Sequence, residues 1–114
     1  MNDPQHLDYD ALNALKEVME DDFGFLIETY LKDSSDRLVA LHELVKSENA
    51  DLIRRTAHSF KGSSSNLGAV FLASLCSVVE RNALDQKFFT LPEDVSRIEA
   101  EFLIVKQKML DFLG

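Results

Sequence analysis

Asn49–Ala69 reads NADLIRRTAHSFKGSSSNLGA, and the fold turns on how this stretch is read. At about 100° per residue, Ile53, Thr56, Ala57, Phe60, Ser64 and Leu67 share one broad stripe, the mark of a helix with one buried face. Composition pulls the other way, since Gly62 costs about 1 kcal/mol in a helix relative to Ala and each Ser several tenths more. The ends agree with the periodicity. Asn49 has the short polar side chain of an N-cap, and Gly68 stands where a left-handed residue closes a helix. The stretch predicts a helix from Asn49 to Leu67. Its opposite face centres on His58, with Arg54, Arg55, Lys61, Gly62 and Ser65 within roughly 60° on either side. A helix that gives up stability around one exposed imidazole does so for access to that imidazole.

The same spacing recurs outward from this segment. Asp8–Met19 reads as a short amphipathic helix with Leu12, Leu15 and Met19 on one face. A longer helix is expected from about Asp21 to Ser47, its positive end met by Asp21 and Asp22. Its stripe is Phe23, Ile27, Tyr30, Ser34, Leu38, Leu41 and Val45, three or four apart. Beyond Gly68, Val70–Leu84 buries Leu72, Leu75, Cys76, Val79 and Ala83. The last helix begins near Pro92, a good first-turn residue followed by Glu93 and Asp94. Its stripe is Val95, Ile98, Phe102, Val105, Met109 and Phe112. No alternating strand pattern of useful length appears. Four long amphipathic helices on short connections predict an all-α, antiparallel up-down four-helix bundle with a short additional N-terminal helix.

Composition narrows the function classes. The 114 residues suit a single domain, 1–114, with a real core, since 46% are hydrophobic. No apolar run approaches the 18 or so residues of a membrane span, and no signal-peptide pattern opens the chain. The formal charge of −8 argues against a nucleic-acid surface. One cysteine permits no internal disulfide. Cys76 lies in an apolar stretch and reads as an inert buried thiol, and a reducing cytoplasm fits the whole. His6 and His42 read as plain surface residues. Neither His/Cys spacing nor an acidic cluster suggests a metal site. Ser64, on the core side, is expected to bond back to the carbonyl of Phe60.

Ala57, His58, Phe60, Lys61, Gly62, Ser63, Ser64, Asn66, Leu67, Gly68 and Ala69 together resemble the signature of the histidine-containing phosphotransfer (HPt) family. The resemblance implies that His58 is the phosphoacceptor of a helical bundle relaying phosphoryl groups between receiver-domain aspartates. It implies a stand-alone bacterial protein that takes the group from the receiver of a hybrid sensor histidine kinase. A response-regulator receiver would then take it from His58. Such a protein is a phosphoryl carrier and not a kinase, and the four glycines form no nucleotide-binding loop. No cofactor is expected on this chain, any Mg²⁺ coming with the receiver's acidic pocket. A monomer is expected.

The chemistry fits that implication. Transfer needs a neutral imidazole nitrogen free to reach phosphorus, and an exposed His of ordinary pKa, about 6.5, supplies one at neutral pH. Lys61, one turn along on the same face, offsets phosphoryl charge. Arg54 and Arg55 either steer an acidic receiver toward His58 or are ordinary helix-surface residues. Gly62 and Ser65 leave the docking face low. His58 lies ten residues before Gly68 and Glu80 twelve after it, so an antiparallel hairpin sets them at similar height. Glu80, a residue type the family uses there, either accepts the Nδ1 proton of His58 or pairs on the surface with Arg81 or Lys87. The competing function is a helical adaptor that binds receivers or kinases without transfer. The intact His58, Lys61 and Gly62 set argues against it.

Overall fold

In a computed structural model that describes residues 5–114, Asp8 starts the first helix, its carboxylate accepting from the Ala11 N–H at 3.1 Å. Helix α1 runs Tyr9–Met19. A single 3₁₀ turn, Glu20–Asp22, leads into α2, Phe23–Ser47. Helices α3, Ala50–Asn66, and α4, Val70–Leu84, form a hairpin, and α5 spans Leu91–Leu113. No strand occurs among the described residues, and none of their helices is long and apolar enough to cross a membrane.

Short connections make the four long helices antiparallel neighbours, and the packing closes into a ring. Helix α2 packs on α3 and α5, α3 on α4, and α4 on α5. The ring encloses the stripes read from the sequence. Ile27, Leu41, Ile53, Phe60, Leu72, Val79, Ile98 and Val105 are almost wholly buried. Burying such side chains supplies roughly 1.5–3 kcal/mol each and outweighs the poor intrinsic helicity of α3. Helix α1 lies across one end, with Leu12 buried and Tyr9 against Phe112, ring centroids 5.9 Å apart.

Gly68 holds the hairpin and the N-terminal segment together. Its φ is +78°, a left-handed conformation that L side chains resist, and a Cβ there would lie 3.0 Å from the Asp8 carbonyl oxygen. The Gly68 carbonyl in turn accepts from the Asp8 N–H at 2.8 Å. Asn49 caps α3 as expected, its side chain accepting from the Leu52 N–H at 3.2 Å.

Three expectations need correction. Helix α2 starts at Phe23, and neither Asp21 nor Asp22 caps it through a side chain. The 3₁₀ turn already brings the Phe23 N–H to the Glu20 carbonyl, and Asp22 has helical dihedrals that take it out of capping geometry. Ser64 does not bond back to Phe60. Its Oγ meets the Tyr30 hydroxyl at 2.7 Å inside the core, while Ser63 bonds back to the Phe60 carbonyl at 3.2 Å. A buried phenol needs a partner, and α2 presents it to Ser64. His6 is no plain surface residue either. Its Nδ1 lies 2.7 Å from Oε2 of Glu101, a carboxylate only 3% exposed in the face of α5. A buried charge must find a donor, and the chain entering α1 supplies it.

Candidate functional site

Helix α3 turns His58 to solvent because Ala57 and Phe60, on either side of it, are wholly buried and set the rotation. The ring is 64% exposed. Gly62, one turn along, has nothing within 4 Å of where a Cβ would be, so this face of α3 is open as well as low. Ser65 is exposed on the same face.

Across the hairpin, α4 brings up Glu80. Its Oε2 is 2.8 Å from His58 Nδ1, and its Oε1 is 2.7 Å from Lys61 Nζ. Glu80 thus pairs with the two α3 residues and not with Arg81 or Lys87. Cys76 and Val79, buried on the inner side of α4, leave Glu80 at the rim, 20% exposed. The Lys61 ammonium holds its carboxyl below the usual range, His58 adds to that, and burial works the other way. An ionised carboxylate only accepts hydrogen bonds, so Nδ1 carries the proton and Nε2 keeps its lone pair. The Lys61 contact is an ion pair met off hydrogen-bond direction, since Oε1 is buried without a hydrogen-bond partner of good geometry.

The expected cations divide. Lys61, half-buried, belongs to the His58 constellation. Arg54 and Arg55 both turn back to Asp51, at 3.1 and 2.5 Å, and share its charge a turn before the ring. Those guanidinium groups, Arg54 foremost, hold the Asp51 carboxyl below its ordinary range. Sequence reasoning passed over Asp51, although its i,i+3 and i,i+4 spacing to two arginines is a plain signal. It also passed over Arg37 of α2, whose Nη1 reaches Ser63 Oγ at 3.5 Å. Arg37 lines two concavities beside α3, one with Tyr30 and Asn66, the other with Arg55 and Ser59. Nothing in its local spacing connects it to α3. Cys76 lies under the hairpin, and burial pushes its thiol up to about 12, which leaves it inert.

An exposed imidazole with an oriented lone pair and an adjacent ammonium can take an electrophilic, anionic group at Nε2. A model of the Hpt domain matches residues 26–101 of the chain, which include all of these residues. Among solved structures, histidine-containing phosphotransfer protein B (HptB) from Pseudomonas aeruginosa PAO1 is similar throughout, with a TM-score of 0.91 and 40% sequence identity. The match covers 96% of this chain and 95% of that one. No curated protein sequence matches.

Proposed function

The chain belongs to the Hpt domain family, and from that premise we propose that it is a phosphorelay intermediate whose phosphoacceptor is His58. The donor is the aspartyl phosphate of a receiver in a hybrid sensor histidine kinase, and the acceptor is the receiver aspartate of a response regulator. The observation that carries this reading is the His58 ring, 64% exposed, with Nδ1 held by Glu80 and Nε2 free.

The steps balance without a proton leaving the ring. The Nε2 lone pair attacks phosphorus as the P–O bond to the aspartate breaks, and the carboxylate departs with the bonding electrons. The ring, still protonated at Nδ1, becomes cationic, and Glu80 lies where it stabilises that charge. Lys61 offsets the charge on the phosphoryl oxygens. In the return step a receiver carboxylate attacks the same phosphorus, and the ring leaves as neutral imidazole. Gly62 and Ser65 let the receiver's surface approach, and Arg54, Arg55 and Arg37 favour an acidic partner. The chain takes the part of a carrier and not a kinase, and any Mg²⁺ is held by the receiver's own carboxylates.

The test is His58→Gln. With a phosphorylated receiver as donor, wild type should gain label that survives alkali and is lost in acid, and the variant should gain none. An unlabelled wild type would favour the non-transferring adaptor. Alkali-stable label persisting in His58→Gln would move the site to another histidine.

A further inference from the structure

Glu80 holds two partners whose needs diverge once a phosphoryl group arrives. The ring is on Oε2 at 2.8 Å and the Lys61 ammonium on Oε1 at 2.7 Å. A ring substituted at Nε2 and protonated at Nδ1 is cationic, so its hold on the carboxylate tightens. The phosphoryl group brings about two negative charges to the open side of the ring. Lys61 sits one turn from His58 on the same face and is itself 31% exposed. Its ammonium is a compact point charge on a flexible stem, which moves between anions where a planar guanidinium fork would not. The contact it must leave is an ion pair lacking good hydrogen-bond direction. The contact that stays, His58 to Glu80, is well formed.

We propose that Lys61 exchanges counterions when His58 is phosphorylated. Glu80 holds the ammonium in the unphosphorylated protein and yields it to the phosphoryl oxygens once the Nε2–P bond forms, keeping only the Nδ1 proton. The inference rests on His58 being the phosphoacceptor. Glu80 is then a positioning residue for two groups, the ring and the mobile cation. The exchange leaves the summed charge of the site unchanged and sets the ammonium against the new phosphoryl charge, where it screens that charge most strongly. Without it, the new phosphoryl group would repel the acidic receiver that must remove it. When the group leaves, Lys61 returns to Glu80, so the device serves both directions of transfer.

The experiment needs no receiver. Phosphoramidate phosphorylates the intact protein: Nε2 attacks phosphorus, the P–N bond breaks, and ammonia leaves with its electron pair. The readout is the Lys61 side-chain ¹⁵Nζ resonance in lysine-labelled wild type and in Glu80→Gln, before and after phosphorylation. Glu80→Gln should displace that resonance in the unphosphorylated protein. The displacement should vanish once ³¹P spectra show phosphohistidine, because Lys61 has by then left position 80 in both proteins. A displacement undiminished by phosphorylation overturns the exchange, and so does its absence beforehand. Should Glu80→Gln lose helical structure, Glu80→Asp, which keeps the charge and shortens the reach, gives the same comparison. Failure to form phosphohistidine at His58 overturns the phosphoacceptor reading and this inference with it. Failure of transfer from receivers alone leaves the exchange standing.

Discussion

The Tyr30 hydroxyl and Ser64 Oγ meet at 2.7 Å inside the core, tying α2 to the helix that carries His58. Burial pushes the phenol up to about 12, with the Ser64 hydrogen bond pulling the other way. Tyr30→Phe should therefore cost about 1–2 kcal/mol in urea unfolding, since it strands a buried serine hydroxyl. The double variant with Ser64→Ala should recover part of that loss. In alkali the unfolded chain releases the Tyr30 proton near its ordinary 10 while the folded chain keeps it to about 12. Stability should fall across that window by about 1.4 kcal/mol per pH unit for this group. Cys76, raised from 9.0 to about 12, adds a like slope from a lower pH. Tyr30→Phe should retain only the cysteine part.

Glu80 behaves in the opposite sense. Its folded pKa lies below the ordinary 4.5, chiefly through Lys61. Its contribution is present above the unfolded value and lost as pH falls through the depressed folded one. Lys61→Met removes the largest cause, so the Glu80 carboxyl midpoint, followed by ¹³C NMR, should rise toward 4.5. An unchanged midpoint would mean that the ion pair does not form in solution.

Gly62 separates stability from access. No atom lies within 4 Å of a Cβ there, so Gly62→Ala should stabilise the protein by up to about 1 kcal/mol in thermal or urea unfolding. Gly62→Gln should keep the fold and slow phosphoryl transfer from a receiver, because its side chain rises beside the ring. A wild-type transfer rate in Gly62→Gln would refute the role assigned to the open face.

His6 and His42 make a matched pair for measuring burial. His6→Ala leaves the Glu101 carboxylate, 3% exposed, without its donor and should cost about 1–3 kcal/mol. His42 pairs with Glu99 at 2.8 Å on the open surface, so His42→Ala should change unfolding by less than about 1 kcal/mol. Equal effects from the two variants would show that the N-terminal segment is not held in place by Glu101.

What the sequence determined by itself is what each helix owns locally. The stripe from Ile53 to Leu67 settled which way α3 faces, and so put His58 outward before any packing was known. Gly68 marked the hairpin because only a residue without a Cβ takes a positive φ easily. The connection after α2 carried no such mark. There Glu48 takes φ 57°, and no side-chain type announces it. Asp21 and Asp22 looked like caps, because composition records a residue's capacity to cap and not the dihedrals it adopts.

Tertiary structure alone decided the partners. Near-equal distance from Gly68, ten residues and twelve, set His58 and Glu80 at similar height, yet left open whether Glu80 would face the ring or Arg81 and Lys87. The packing of α4 on α3 settled that choice by bringing Glu80 Oε2 to 2.8 Å from His58 Nδ1. It also gave Lys61 to Glu80, Tyr30 to Ser64 and His6 to Glu101. Helix formation follows from periodicity within one segment, so one segment is enough to read it. A side chain's partner is won in competition among groups that only packing brings within reach, and burial raises the cost of every group left without one.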